Sequence, residues 1–304
     1  MKSPAAILMT ALLACCVAAR AEYRVEGNIG KGKLGAVSQI AIGANDTLCA
    51  LEMNGKITVF NPDGTVASTL DTGLENTEAL AVSADGSLYV LSTLTETKKV
   101  KSGARMRTVQ VPVGVECGVF DAKGKKLKTM KLDQLKSARA ARIVDGKLAV
   151  ADLSARALVF HDVETGKETG RIKKGLRLCC GIFDFCEGPD NTVAISNLGA
   201  FKLQRYSLDG KLVSEFGKRG RGIDDFQGCC NPVSAAYLPN RGILTVEKDP
   251  TRIKVYDANG QNAVQIPGVE ELVKGCSFIP VAVDSKGVIY LGAAEKGYIV
   301  KCVP

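Results

Sequence analysis

Residues 216–260 read FGKRGRGIDDFQGCCNPVSAAYLPNRGILTVEKDPTRIKVYDANG. Three short apolar runs, VSAAYL, ILTVE and IKVY, are separated by polar turns, which is strand patterning. The last run has siblings along the whole chain: ITVFNPDG (57–64), CGVFDAKG (117–124), LVFHDVETG (158–166) and LQRYSLDG (203–210). The middle run also recurs, as GANDTLCALE (43–52), SADGSLYVLS (83–92), IVDGKLAVAD (143–152), GPDNTVAISN (188–197) and DSKGVIYLG (284–292). A third apolar stretch precedes each, such as QIAI (39–42), ALAV (79–82) or PVAV (280–283), and KLVSEFG (211–217) shows a fourth strand. Units of roughly 40–50 residues with four strands each are the pattern of propeller blades. Six units can be counted, and the only helical candidate, around Leu132–Arg142, is short. The expected fold is all-β: a six-bladed β-propeller of four-stranded antiparallel blades. The last unit runs out after three strands at Lys301-Cys302, while EYRVEGNIG (22–30) has no blade of its own. The N-terminal strand is therefore expected to supply the missing outer strand and close the ring, which removes exposed sheet edges.

The unit 216–260 resembles an NHL repeat. That family's pattern is FGxxGxGxxxF, a proline and strand, a DxxGxIYVAD-like strand, then RIxVFDxxG. Phe216, Gly217, Gly220, Gly222, Phe226, Pro232, Arg252, Ile253 and Gly260 fall on it. The match is good in blades four and five and weakest in blade two. The resemblance implies a six-bladed propeller and no single activity, because NHL-type propellers include binding platforms and a few enzymes.

Lys2, an apolar run from Ala5 to Ala19 and Ala19-Arg20-Ala21 describe a secretory signal peptide cleaved after Ala21. The alternative is a lipobox, Leu12-Leu13-Ala14-Cys15, leaving a lipid anchor on Cys15. Either way the expected product is exported, with residues 22–304 as a single propeller domain without a transmembrane segment. Loss of Lys2 and Arg20 lowers the formal charge from +8 to +6. That mild excess suits an anionic partner and does not argue for nucleic acid. A monomer is expected. Of eleven cysteines, Cys15 and Cys16 lie in the leader, and nine remain. An exported chain uses cysteine chiefly for disulfides, and an odd count leaves a thiol over. A domain this long does not need staples for its core.

Two doublets stand out: RLCCGIF (177–183) and FQGCCNP (226–232). The offset of fifty residues runs without a gap from Cys179/Cys229 through Tyr206/Tyr256 to Gly210/Gly260. Each doublet opens the first strand of a blade, and Gly275-Cys276 opens blade six at nearly the same place. Antiparallel strands return to one face, so second strands should end beside the cysteines, at Glu52, Asp152, Asn197 and Glu247-Lys248. Adjacent cysteines bond to each other only through a strained eight-membered ring. Across blades, Cys179, Cys180, Cys229 and Cys230, with Cys276 next along, could form a disulfide or a shared thiolate site. Four sulfurs would suit Zn²⁺, Cu⁺ or an iron–sulfur cluster. Cys49, Cys186 and Cys302 read as buried core thiols. An acidic residue at the end of a second strand can also simply hold the next turn.

Blade two carries an insertion, TLTETKKVKSGARMRTVQVPVG (93–114), expected as a long hairpin turning near Lys101-Ser102-Gly103. Lys98, Lys99, Lys101, Arg105 and Arg107 crowd its tip, against one Glu. It reads as a lid or docking arm for an anionic partner, or as a solvated loop. GKGKLG (30–35) and GKRGRG (217–222) lack P-loop spacing. The lone His161, expected as a surface residue in a turn, cannot build a His-based zinc site or a Ser-His-Asp triad. Three functions are then open. One is a binding module whose cysteine mouth holds a soft metal or exchanges thiols with a redox partner. Another is a lactonase-like hydrolase with a calcium-type ion on Glu52, Asp152, Asn197 and Glu247. The third is a protein-binding scaffold held by disulfides.

Overall fold

The structure, a computed structural model, describes residues 22–102 and 105–304. The leader with Cys15 and the turn at Gly103 lie outside the described residues. The described strands form six four-stranded antiparallel sheets, and the first strands of neighbouring sheets touch one another in ring order. This is a six-bladed β-propeller. Blade one comprises Val37–Ile42, Leu48–Glu52, Lys56–Phe60 and Val66–Asp71. Blade two, with first strand Thr77–Val82, holds the long pair Leu88–Ser102 and Arg105–Phe120. Blade three begins at Ala141–Val144, blade four at Phe185–Gly188, blade five at Ser234–Tyr237 and blade six at Val281–Val283. Arg24–Ile29 is the fourth strand of blade six: it pairs with Tyr298–Val303, Arg24 opposite Val303 and Ile29 opposite Ile299.

Burial follows position in the blade. The second strand TVAISN (192–197) is buried at every residue, whereas the fourth strand VASTLD (66–71) is almost wholly exposed. A strand covered on both faces must be apolar throughout, which is why the second strands read as continuous Val/Ile/Leu/Ala runs. In blades two, three and five the turn between the third and fourth strands is an Asx turn, at Asp121, Asp162 and Asp257. Asp121 Oδ1 accepts the N–H groups of Lys123 and Lys125, both at 2.9 Å. At the matching position in blade five, Gly260 sits at φ 73°, and a Cβ there would lie 2.3 Å from Phe216 Cγ. Only glycine fits both constraints. Phe216 in turn packs on Phe226 and Tyr256, at centroid distances of 6.1 and 5.1 Å.

Several local details were settled only by the structure. Residues 132–140 form no helix; the one α-helix among the described residues is Val269–Val273, between blades five and six. Blade five's fourth strand is only Val264–Gln265. The doublets and Cys276 lie in the loops leading into the first strands, not in the strands themselves. His161 is fully buried: it pairs opposite Leu148 in blade three and its Nε2 meets Asp133 O at 3.0 Å. Burial pushes its pKa down. The turn residue is Asp162, one position on.

Candidate functional site

Every blade has the same device where its second strand leaves the first: at the strand's end in blades one, three, four and five, within the long strand at Ser92 in blade two, and in the turn Ala294–Lys296 just past the strand in blade six. A polar side chain there reaches back to backbone in the loop entering its own blade. Glu52 Oε2 accepts the Gly35 N–H at 2.7 Å, Asp152 Oδ2 that of Lys136 at 2.9 Å, and Asn197 Oδ1 that of Arg177 at 2.7 Å. Glu247 Oε2 accepts from Gln227 N at 2.8 Å, and Glu295 Oε1 from Ser277 N at 2.9 Å. In blade two the polarity is reversed, and the Ser92 hydroxyl donates to Glu75 O. These latches satisfy backbone groups that an irregular loop would otherwise leave unpaired. The remaining oxygens are also engaged: Glu52 Oε1 by Thr58 at 3.3 Å, and Asp152 Oδ1 by Ser137 and Ala155 at 2.9 and 3.0 Å. Asn197 Nδ2 donates to Gly175 O and Gln204.

Glu247 is the most committed. It is fully buried, with Arg252 2.8 Å from Oε2 and the fully buried Lys254 2.9 Å from Oε1. The Lys254 contact lacks hydrogen-bond angles, so charge holds it. Burial lowers the Lys254 pKa against the opposing pull of Glu247. Lys254 also donates to Ile223 O and Asp225 O and lies 4.8 Å above the Phe226 ring. The polar residues thus fold the loops, and Glu52, Asp152, Asn197 and Glu247 each serve their own blade. Among the described residues, one group of three Cys, His, Asp or Glu brings its ligand atoms within 4.8 Å of one another: Cys179, Cys180 and Cys230.

In blades four and five the latched loops carry the doublets. Cys179 and Cys230 form a disulfide, Cα–Cα 6.8 Å, tying the two blades together. Cys229 Sγ lies 3.3 Å from Cys230 Sγ. Cys180 and Cys229 are free and exposed. Three contacts aim these loops. Arg156 donates to Leu178 O at 2.6 Å. The buried Asn231 amide donates to Gln227 O at 2.8 Å and accepts the Lys248 N–H at 3.1 Å. A Cβ on Gly228 would lie 1.8 Å from Asp249 O, so the chain can approach that carbonyl only as glycine. Cys180 itself sits at φ 56°, a left-handed backbone uncommon outside glycine.

Cys276 stands apart from the cluster. It is buried, and desolvation, then its contact with Glu295, raise its pKa. Burial pushes Cys49, Cys117, Cys186 and Cys302 up to about 12, which makes them inert core thiols. Asn231, Arg156 and the Glu78–Arg139 ion pair (2.6 Å) belong to this mouth and were not singled out from sequence. Of these, only Asn231 had a local signal, the Asn-Pro turn.

The insertion in blade two is a hairpin. Its last backbone bonds to the rest of the ring are Thr93 N to Asn76 O and Leu132 N to Val115 O, and from Leu94–Gly114 to Ser102–Arg105 the two strands pair only with each other. Lys98, Lys99, Lys101, Arg105 and Arg107 are all exposed, and Lys98 lies 3.6 Å from Glu96. Among the described residues no helix is long and apolar enough to cross a membrane.

No family model matches the chain, and no curated protein sequence does. Solved structures do match in fold, and they are β-propellers. A structure of streptogramin B lyase aligns with a TM-score of 0.58 at 12% identity, over 92% of this chain and 97% of that one. A catalytically inactive virginiamycin B lyase from Staphylococcus aureus with quinupristin aligns at 0.57 and 15%, over 93% and 100%. The WD40 propeller domain of Doa1 aligns at 0.56 and 10%, over 92% and 97%. The chain is therefore similar to these proteins in its scaffold.

Proposed function

We propose that this chain is an exported NHL-type propeller that acts as a binding module, and that its four-cysteine mouth exchanges thiols and disulfides with a redox partner. The observation that carries the reading is the Cys179–Cys230 disulfide with the free sulfur of Cys229 3.3 Å from one end and that of Cys180 within 4.8 Å of both. A domain with this much core has no need of a staple, and exposed thiols beside a bridge, as Cys180 and Cys229 are here, are the accessible kind that can exchange. A partner dithiol would reduce the bridge, its two electrons and two protons passing to Cys179 and Cys230 while the partner becomes the disulfide. The basic arm, Lys98, Lys99, Lys101, Arg105 and Arg107, docks the anionic surface of that partner. Thiol counting tests the bridge. Unfolded, unreduced protein spanning residues 22–304 should alkylate at seven cysteines, and at nine after reduction. Nine before reduction would remove the disulfide and this reading with it.

A second reading is favoured by the packing of the sulfurs themselves. Reduced, Cys179, Cys180 and Cys230, whose sulfurs lie within 4.8 Å of one another, with Cys229 3.3 Å from Cys230, offer a thiolate set for a soft ion such as Zn²⁺ or Cu⁺, or for an iron–sulfur cluster. Protein purified without an affinity tag would then carry about one such metal site per chain, lost in Cys230→Ser.

A further inference from the structure

Beside the sulfur cluster, a cavity of ≈ 450 Å³ opens at the centre of the ring, and all six blades line it. That size falls within the roughly 300–1,000 Å³ of small-molecule sites. Met53, Ile182, Phe183 and Phe278 form much of its apolar wall. Its charged groups are Glu78, Arg139 and Lys248. Glu78 is spent on Arg139, at 2.6 Å, and accepts from Thr93 at 3.4 Å. Burial raises the Glu78 pKa and the Arg139 charge opposes the shift. Lys248 has no carboxylate within 4 Å of its ammonium among the described residues, although it also borders a neighbouring cleft with Asp249, Glu270 and Glu271; its backbone is held by Asn231 and Thr251. The balance in the cavity is one uncompensated positive charge. Of the four doublet cysteines, Cys180 alone lines this wall, and its thiol is free.

An apolar cup, a spare ammonium and a free thiol at the edge of a disulfide cluster together define a ligand. We propose that the cavity binds a small organic disulfide bearing carboxylates, and that Cys180 attacks it to form a mixed disulfide. This rests on the thiol/disulfide reading of the cluster and adds its substrate class. The thiolate of Cys180 attacks one sulfur of R–S–S–R and the new S–S bond forms as the old one breaks. RS⁻ leaves and takes up the proton lost from Cys180, and R–S stays on the protein. The organic disulfide is the only oxidant required. Lys248 and the outer face of the Arg139 guanidinium hold the carboxylate, as charge-assisted hydrogen bonds do best in a partly dehydrated cup. An export compartment is where such disulfides persist.

Three symmetric probes of similar size and different charge test this: dithiodiglycolate (anionic), bis(hydroxyethyl) disulfide (neutral) and cystamine (cationic), each rate being divided by that of the same probe with a free model thiol, because leaving-thiol pKa also sets the exchange rate. Adduct formation is followed by intact mass, and the modified cysteine by peptide mapping. Dithiodiglycolate should modify Cys180 about tenfold faster than cystamine, a difference of ~1.4 kcal/mol in barrier. Lys248→Ala should bring that ratio towards one while the neutral probe keeps its rate, and Cys180→Ser should abolish the adduct. Cystamine reacting as fast as the anion, a first adduct on Cys229, or a ratio untouched by Lys248→Ala would overturn the proposal. The thiol count of the unprobed protein separates the two ideas. Seven thiols with no charge preference sinks only the cavity; nine thiols sinks the disulfide reading whatever the probes do.

Discussion

Glu247 shows how a residue that looks like a ligand can be structural. In sequence it ends a strand beside a cysteine doublet, where a cation site would want a carboxylate. In the folded chain its Oε2 accepts from Arg252 and the Gln227 N–H, and its Oε1 faces the Lys254 ammonium at 2.9 Å. Removing one member of a buried charge network leaves the others uncompensated, at a cost of about 3–5 kcal/mol. Glu247→Ala should therefore lower the denaturation midpoint strongly. It should also release the Gln227 end of the loop and raise the fraction of molecules lacking the Cys179–Cys230 bond. Calcium should leave the midpoint of the parent protein unchanged, since Glu52, Asp152 and Glu247 do not share a coordination point. Thermal melts with and without calcium, and thiol counts on the variant, check both. A calcium-induced rise of several degrees would restore the cation reading.

At the scale of elements, the blade-two hairpin differs from every other second-to-third connection. Residues 93–102 at about 3.3 Å per residue make an arm roughly 33 Å long. Nothing in the blades covers its outer half, and Val100 and Met106 are exposed beside the cations. A free two-stranded ribbon is only marginally stable, so its contribution to global stability is small. Replacing Lys98, Lys99, Lys101, Arg105 and Arg107 by Ser should shift Tm by less than about 2 °C. Elution from a polyanion matrix should move to clearly lower salt. Unchanged elution would strip the arm of its docking role, and a collapse of Tm would show that it packs on the ring.

For the whole molecule, closure is the decisive feature. The strand Arg24–Ile29 covers the outer edge of Tyr298–Val303, and Lys301 lies 2.6 Å from Glu26. Without it, blade six keeps three strands and presents an unpaired edge. Protein beginning at Lys33 should melt about 10 °C lower and associate in solution. A monomer with the parent Tm would mean that the ring does not need this strand. The same closure sets the geometry of the cysteine mouth. Six first strands converging on one axis bring loops from blades four and five, fifty residues apart in sequence, within disulfide distance.

The sequence by itself determined the blades, their number and the closing strand. Those depend on local alternation and on turns such as Asp121–Gly124 that read the same in any context. It also marked the doublets, because a rare pair at a constant offset needs no coordinates to be seen. It did not determine which sulfurs bond, that Cys276 turns away to Glu295, that His161 is buried, or that Lys248 is left without a counter-charge at the cavity. Each of these depends on which loop packs against which, over separations of tens of residues. The same Asp, Glu or Asn at a strand end serves as latch or ligand according to the N–H groups that surround it. Only the tertiary structure, by placing the Gly35, Lys136, Arg177 and Gln227 amides, decided for the latch.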